Sequence, residues 1–285
     1  MENTRTKTTR NSLILLLTAA IWGMAFVSQS KGMDYMHPFT FNGVRSLIGA
    51  ASILVYILIS RKIAGDKAAP LDWKLNVKAG LLCGIFLTIA STLQQFGIKY
   101  TSVGKAGFIT TLYIIFVPMF GIFLKKKVAP VVWAAAVMAA VGMYLLCMTE
   151  SLRLGAGDIM VFLCAIAFAI QIMTVDHYAA RIDGAVVSCI QFTVCGVVCC
   201  IGALIWGQPT FGQLQEGLGA LLYAGVLSCG VGYTLQIVGQ KGLNPTVAAL
   251  IMSLESVIAT ISGWIAYKIG FLTTDQTLTA RQIAG

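Results

Sequence analysis

The chain has 285 residues, of which 58% are hydrophobic and only 11% carry a charge. Soluble domains are typically about a quarter charged, so this composition excludes an ordinary water-soluble enzyme or binding module and favours a protein surrounded by lipid. In a soluble protein the net charge of +9 would suggest a nucleic-acid partner, but the positions of the basic residues give another explanation below.

The N-terminus begins with basic residues followed by a long apolar run. Arg5, Lys7 and Arg10 precede a run that extends from Leu13 to Val27, which is similar to the start of a secretory signal peptide. No small-x-small cleavage pattern closes the run, and further apolar stretches follow it. We therefore interpret it as the first membrane helix.

Apolar stretches of membrane-spanning length recur along the whole chain. Crossing a bilayer as a helix takes roughly 20 apolar residues. Nine stretches reach or approach that length: 11–30, 38–60, 79–98, 106–124, 128–149, 159–175, 184–206, 217–240 and 244–267. They do not alternate between polar and apolar residues, and open sheet edges cannot lie in lipid. The sequence therefore predicts an all-α integral membrane protein with short connections.

The basic residues are distributed unevenly between the two sides of the membrane. With a cytoplasmic N-terminus, thirteen of them fall in inner segments and only five in outer segments, namely Lys31, Lys99, Lys105, Arg153 and Lys268. Cytoplasmic loops are enriched in Lys and Arg, so we expect the N-terminus to be cytoplasmic. The basic charge then requires no nucleic-acid partner, and the compact chain favours the plasma membrane as its location.

The cysteines and histidines form no metal-binding or redox pattern. All eight cysteines fall in apolar runs, none is part of a CxxC pair, and His37 and His177 lie at no metal-ligand spacing. We interpret the cysteines as small apolar packing residues. We expect neither a metal nor a cofactor.

The chain contains an internal repeat. A shift of 142 positions places Thr92–Leu112 on Thr234–Leu254 with eight identities in 21 positions, and Gln94 then meets Gln236. Apolar composition alone produces some chance identities, but it does not readily produce the shared Gln, Lys and Gly positions. A second shift, of 146 positions, aligns the earlier helices of the two segments and preserves the helix order.

The repeat divides the chain into a first half, 1–149, and a second half, 150–285. Each half would hold five helices, and an odd number makes the second half run through the membrane in the opposite direction. Inverted repeats of this kind are typical of secondary transporters, which bind their solute near the midplane between the halves. Because 278–285 aligns with the start of the fifth stretch, we expect a tenth helix that is truncated in this chain. The alternative is a nine-helix protein with an outer C-terminus.

The order and spacing of short motifs resemble the EamA family of the drug/metabolite transporter superfamily. The motifs are Ala20-Ile21-Trp22-Gly23, Pro38-Phe39 with Arg45, Lys125-Lys126-Lys127, Gln191, Gly225 to Tyr233, and Leu254-Glu255. The chain departs from the usual family pattern at Ser256, where a proline often follows the glutamate, and at Lys125-Lys126 and Gly270-Phe271, where a Gly-Glu pair is common. The resemblance implies a ten-helix, 5+5 inverted-repeat fold. It also implies transport, usually outward, of amino acids, other metabolites, sugars or xenobiotics.

Two charged residues lie inside the predicted spans. An ionised Glu255 near the middle of the ninth stretch costs several kcal/mol unless it is paired or hydrated. It would titrate and couple transport to protons, pair with a basic residue such as Arg45, or remain a neutral, hydrogen-bonded packing residue. Arg45 would extend towards the outer surface or attract a carboxylate on a solute. In each case we expect Glu255 to face a cavity or another helix.

Several buried amides are candidates for solute contact. Gln94 and Gln236 are repeat mates, Gln95 adjoins the first of them, and Gln191 takes the place of Arg45 in the second half; Gln171 is a weaker candidate. An amide within lipid needs hydrogen-bond partners. These side chains would therefore either contact a solute or join neighbouring helices.

Three aromatic residues lie deeper in the spans than the interfacial belts that usually hold such side chains. They are Trp22, Tyr113 and Tyr233. Aromatic walls with a few polar groups are common in small-molecule sites, although simple packing would explain each residue alone. Tyr113 is the stronger candidate because the 142-residue shift aligns it with Glu255.

These features predict a secondary transporter of small metabolites, such as amino acids or related polar and amphipathic solutes, that works by alternating access. The chain has no Gly-rich phosphate loop, so we expect a gradient of protons, of another ion or of the solute itself to drive transport. A channel, a receptor or a membrane scaffold is the alternative. A membrane enzyme is not favoured, because the spans contain one acid and no histidine. The sequence carries no signal for an oligomeric state.

Overall fold

The computed structural model describes residues 4–65, 70–123, 130–147, 155–273 and 275–276, and this part of the chain is helical and contains no strand. The α-helices are α1 (Thr4–Gly32), α2 (Pro38–Ala64), α3 (Trp73–Ile98), α4 (Val103–Thr111), α5 (Tyr113–Phe123), α6 (Pro130–Cys147), α7 (Ala156–Tyr178), α8 (Gly184–Gly202), α9 (Phe211–Glu216), α10 (Leu218–Leu222), α11 (Tyr233–Gln240), α12 (Pro245–Met252) and α13 (Glu255–Lys268). Two π-helical segments, Ala203–Gly207 and Tyr223–Gly232, continue α8 and α10.

Eight helical segments of the described chain are long and apolar enough to cross a membrane. They are Thr8–Gly32, Pro38–Ala64, Trp73–Ile98, Val103–Phe123, Ala156–Tyr178, Gly184–Gly207, Leu218–Gln240 and Pro245–Lys268. The helix α6 lies within the fifth predicted stretch, 128–149. The prediction of an all-α, multi-pass membrane protein is confirmed. The start of the expected tenth helix at 278–285 and the basic residues Lys125–Lys127 lie outside the described residues, so the 5+5 arrangement stays a prediction.

The helix starts repeat between the two halves of the chain. Ser102 is the N-cap of α4, and its side chain accepts a hydrogen bond from the Lys105 N–H. The 142-residue shift aligns Ser102 with Asn244, the N-cap of α12, whose side chain accepts a hydrogen bond from the Thr246 N–H. The 146-residue shift aligns the N-caps of α2 and α8, His37 and Asp183, in the same way. Short polar side chains satisfy the first unpaired N–H groups of a helix, so the repeat is expressed in local structure as well as in sequence.

Two spans that the sequence predicts as continuous helices are interrupted near their middles. The fourth breaks at Leu112, between α4 and α5, and the ninth breaks at Ser253 and Leu254, between α12 and α13. The 142-residue shift aligns Leu112 with Leu254, so the breaks occupy matching places. Neither break lies at a proline, because Pro118 is well inside α5. Thr110 and Thr111 precede the first break, and Ser253, Glu255 and Ser256 adjoin the second, but the hydrophobicity of the two spans as a whole gave no indication of an interruption.

The interrupted spans cross each other closely. A Cβ built on Gly104 of α4 would lie 3.1 Å from the Thr260 hydroxyl of α13, and one on Gly107 would lie 3.1 Å from the Ala259 Cβ. Conversely, α5 contacts α12. Small residues allow membrane helices to approach at this distance. The crossing brings the two breaks together in the centre of the bundle.

Two further glycine contacts are related by the repeat. Gly97 of α3 packs on Val161 and on the Gly157 carbonyl of α7, whereas its mate Gly239 of α11 packs on Leu15 of α1. The 146-residue shift aligns Leu15 with Val161. The same type of helix contact therefore occurs twice. In one contact the first half supplies the glycine, and in the other the second half supplies it.

Candidate functional site

A cavity lies where the interrupted spans meet. Eight of the residues predicted from the sequence line it, namely Trp22, Arg45, Gln94, Tyr113, Gln171, Tyr233, Gln236 and Glu255. Phe26, Gln29, Thr110, Phe168, Ile172 and Ser228 complete the lining. The cavity has a volume of about 30 Å³, far below the ~300–1,000 Å³ of typical small-molecule sites. A metabolite larger than that fits only if the surrounding helices move apart.

Glu255, the acid of the cavity, is hydrogen-bonded to Tyr113, the residue that the 142-residue shift aligns with it. The Tyr113 hydroxyl donates a hydrogen bond of 3.1 Å to Glu255 Oε1, and both side chains are buried. Each of these residues is the first of a helix that follows a break, α5 for Tyr113 and α13 for Glu255. The helix interruptions therefore place a phenol and a carboxyl group opposite each other in the centre of the bundle.

Arg45 is buried beside the cavity and does not extend to the surface, since it is only 5% exposed. Its Nε donates to Asn42 Oδ1 at 2.9 Å, and its guanidinium lies over the Phe41 ring at 5.6 Å. Asn42 in turn donates to Ser91 Oγ at 3.1 Å. In the described chain no ion pair joins Arg45 to Glu255, so the hypothesised pairing of these two charges is not made in this conformation.

Aromatic rings form one wall of the cavity. Trp22 and Tyr233 are tilted against each other with ring centroids 4.5 Å apart, and Phe192 meets Tyr233 edge-on at 5.0 Å. Trp22 Nε1 donates to the Ser228 carbonyl at 3.4 Å. Ser228 belongs to the π-helical segment Tyr223–Gly232, and its carbonyl also accepts a hydrogen bond from the Tyr233 N–H. The π-helix therefore supplies the acceptor that fixes Trp22.

The predicted amides divide into two groups. Gln94 lines the cavity and donates to the Thr110 hydroxyl at 3.3 Å, and Gln236 lines it and donates to Gln171 Oε1 at 3.2 Å. Gln95 instead donates to the Gln29 carbonyl at 3.2 Å and joins α3 to α1.

Gln191 also lies away from the cavity. It is fully buried in α8, and its Cα lies 3.2 Å from the place of a Cβ on Gly84. Most of the candidate residues named from the sequence therefore lie together at one site, but neither Gln95 nor Gln191 lines that site.

The two ends of the bundle differ. The charge distribution predicts that one of these ends faces outward. At that end His37, Phe39, Phe96 and Trp206 pack together, with distances of 5.1 to 5.7 Å between ring centroids. An ion pair of 2.6 Å between Lys105 and Asp158 joins α4 to α7 at the same end. Side chains therefore pack across helices at this end.

The opposite end contains a cleft of about 590 Å³. Arg61, Arg181 and Lys241 are among its lining residues, and so is Thr234. The next residue along the chain, Tyr233, lines the central cavity. The cleft therefore begins at the basic end and reaches the level of the central cavity.

His37, in the aromatic cluster with Phe39, Phe96 and Trp206, is the N-cap of α2 and lies outside the membrane-spanning segments. His37 Nδ1 accepts a hydrogen bond from the Phe39 N–H at 3.3 Å. Partial burial, and secondarily the nearby charge of Lys99, lower the pKa of His37 below its ordinary value of 6.5. The neutral imidazole is therefore the form that this end accommodates.

Comparison with known proteins identifies the family. The profile of the EamA-like transporter family matches the chain twice, at residues 10–148 and 155–277. The chain belongs to this family. The two EamA matches together cover most of the sequence, and each contains one of the two interrupted spans.

Relatives of this EamA protein are named as transporters. An uncharacterized transporter of Archaeoglobus fulgidus is 30% identical over 171 residues, which are 58% of this chain and 48% of that relative. The uncharacterized transporter YwfM of Bacillus subtilis is 27% identical over 256 residues, 88% of this chain and 84% of the relative. A solved structure, described only as the crystal structure of a protein, matches with a TM-score of 0.73 at 16% identity and covers 96% of this chain and 92% of its own. That last likeness supports the fold alone.

Sequence reasoning missed several lining residues of the EamA cavity. Phe168 is the mate of Trp22 under the 146-residue shift, so the repeat contained the signal that identifies it. Gln29 lies at the end of the predicted stretch 11–30, although α1 continues to Gly32. Among the described residues, no group of three or more His, Cys, Asp or Glu side chains is arranged to hold a metal ion.

Proposed function

We propose that this protein is a secondary transporter that carries a small polar or amphipathic metabolite, such as an amino acid, outward across the plasma membrane by alternating access. In this proposal the N-terminus is cytoplasmic and the halves 1–149 and 150–285 form a 5+5 inverted repeat. The observation that carries the proposal is the central cavity, where polar and aromatic residues of both halves meet at the breaks of two crossing spans. Interrupted helices at the midplane are typical of transporter binding sites.

The contact between Tyr113 and Glu255 supports a twofold relation between the halves. Two positions that are exchanged by a twofold axis touch only if both lie beside the axis. The 3.1 Å hydrogen bond between these repeat mates therefore suits an axis through the cavity. The paired contacts of Gly97 with Val161 and of Gly239 with Leu15 suit the same relation.

The difference between the two ends supports alternating access rather than a continuous channel. A wide cleft at the basic end and a packed aromatic cluster at the other correspond to a conformation that is accessible from one side only. If the halves are related by inversion, exchanging their conformations opens the opposite end. The small central cavity suits a transporter that closes around its solute.

Glu255 is the candidate for coupling transport to protons. It is a buried acid in the cavity, and its partner is a hydroxyl group rather than a cation. An acid without a cationic partner changes its protonation more readily than one in an ion pair. A structural role as a neutral hydrogen-bonding group is the alternative.

Proteoliposomes test both parts of this proposal. The purified chain would be reconstituted, and counterflow and uptake of a pool of amino acids and common metabolites would be measured with and without a pH gradient. Glu255→Gln retains an oxygen that accepts the Tyr113 hydrogen bond but removes the titratable group. Glu216→Gln is the matched control, because Glu216 is exposed on α9 and does not line the cavity.

The outcomes separate transport from coupling. We expect the wild type and Glu216→Gln to exchange solute and to accumulate it in response to the pH gradient. Glu255→Gln should keep exchange and lose gradient-driven accumulation. Wild-type behaviour of Glu255→Gln would exclude proton coupling through this residue. If the folded wild type moves no member of the pool, the transport proposal itself is wrong.

A further inference from the structure

Three glutamine side chains that line the cavity contain polar atoms without a partner. Gln29 Oε1, Gln171 Nε2 and Gln236 Oε1 are buried, and none of them makes a hydrogen bond within the described chain. A buried polar group without a partner is costly, because it loses its hydrogen bonds to water and gains none in return. The residues that carry these atoms line the central cavity, so the atoms become available to a solute or to water when the surrounding helices move apart.

Gln171 and Gln236 form an amide pair with a defined remaining pattern. The one hydrogen bond between them runs from Gln236 Nε2 to Gln171 Oε1 at 3.2 Å and leaves Gln171 Nε2 as a donor and Gln236 Oε1 as an acceptor. Amide orientations are assigned from the surrounding bonds. Rotating both amides by 180° exchanges the roles of the two residues, but it still leaves a donor on one residue and an acceptor on the other. The pattern therefore does not depend on the assignment.

The partner that fits such a pair offers an acceptor and a donor next to each other. A carboxamide or a lactam has this arrangement, with a carbonyl oxygen beside an N–H group. A carboxylate presents two acceptors and would face Gln236 Oε1 unfavourably. A thioether or an alkyl group would leave both protein atoms unpaired. Sites built to hydrogen-bond a substrate group discriminate strongly against analogues that lack it.

We propose that the paired amides of Gln171 and Gln236 form a subsite that selects solutes carrying a carboxamide or a lactam group. This inference rests on the proposed transport function and specifies the chemistry of its solute. Gln171 lies on α7 and Gln236 on α11, so the subsite joins two helices of the second half. The aromatic wall of Trp22 and Tyr233 lies beside it in the same cavity.

Matched pairs of solutes test the subsite. Proteoliposome counterflow would compare L-glutamine with L-methionine, nicotinamide with 3-acetylpyridine, and 2-pyrrolidinone with cyclopentanone, within a wider pool of amino acids and metabolites. The members of each pair are similar in size, and only the first carries the carboxamide or lactam. The readout is the ratio of the two rates within a pair, which a general loss of activity leaves unchanged.

The variants are Gln171→Met and Gln236→Met, which keep the length of the side chain and remove its amide. Gln240→Met is the control. Gln240 lies one turn along α11 from Gln236, is equally buried and also has an unpartnered Oε1, but its Nε2 donates to the Ile172 carbonyl and it does not line the cavity. Size-exclusion chromatography and circular dichroism would establish that each variant is folded.

We expect the wild type and Gln240→Met to prefer the amide member of at least one pair. The preference should fall about tenfold in Gln171→Met and Gln236→Met, the effect of one or two lost hydrogen bonds. Transport without such a preference, or a preference that both variants retain, would overturn the subsite and leave the transport proposal standing, with water as the partner of the two amides. If the folded wild type moves no solute from the pool, both proposals are overturned.

Discussion

The hydrogen bond between Tyr113 and Glu255 should stabilise the protein measurably. Tyr113→Phe removes one hydroxyl group and changes little else, because the ring is 2% exposed and stays packed. Glu255 is 3% exposed, so bulk water has little access to the carboxyl group that loses its donor. The change therefore tests whether the two halves are joined through the centre of the cavity.

The size of the effect follows from the geometry. Hydrogen bonds contribute about 0.5–1.5 kcal/mol between neutral groups and about 1.5–3 kcal/mol to a charged partner. The distance of 3.1 Å is slightly longer than the usual range for two oxygens, which favours the lower part of these ranges. We expect Tyr113→Phe to lower the free energy of unfolding by about 1–2 kcal/mol.

Unfolding in detergent micelles, followed by tryptophan fluorescence during titration with denaturant, would measure this change. Tyr233→Phe is the control, because the Tyr233 ring lines the same cavity but its hydroxyl makes no hydrogen bond within the described residues. In a Glu255→Leu background, Tyr113→Phe should cost much less, since its acceptor is gone. An unchanged stability of Tyr113→Phe, or an equal loss in both backgrounds, would refute the reasoning.

Two other predictions concern the ends and the contacts of the helices. Gly97→Ala should lower the free energy of unfolding by about 1–3 kcal/mol, and by more than Gly239→Ala does. A Cβ at residue 97 would lie 2.8 Å from a backbone carbonyl, whereas a Cβ at residue 239 would meet the movable side chain of Leu15. Equal effects of the two substitutions in the same unfolding assay would contradict this. The lowered pKa of His37 means that the unfolded chain takes up a proton here more readily than the folded protein. Stability should therefore decrease as the pH falls below about 6.5, and His37→Asn, which keeps an N-cap acceptor, should reduce that decrease; an identical pH profile for the variant would show that His37 does not contribute.

Much of the candidate site could be predicted from the sequence because lipid restricts where polar groups lie. A charge or an amide in the middle of a span must face a cavity or another helix, and this led directly to Arg45, Glu255 and Gln236. The repeat added Tyr113 as the mate of Glu255. The family profile matches both halves of the chain, in keeping with the motifs that suggested the family.

The choice between neighbouring amides could not be predicted. Gln94 and Gln95 are adjacent, so their side chains point about 100° apart around α3. The faces of α3 that meet the cavity and α1 both carry apolar residues. The hydrophobicity of the sequence therefore does not distinguish one face from the other. Only the packing of the helices directs Gln94 to Thr110 and Gln95 to the Gln29 carbonyl.

The sequence by itself determined that this protein is helical, that it lies in a membrane and that its two halves are related, since these properties follow from composition and from offsets along the chain. The tertiary structure decided where the helices break and which groups meet there. The breaks at Leu112 and Leu254 lie within spans whose overall hydrophobicity is that of continuous membrane helices, and they are apparent only in the folded structure. Glu255 is bonded to Tyr113 and not to Arg45 because a side chain's partner depends on helix positions in three dimensions, which the spacing of charges along the chain does not specify.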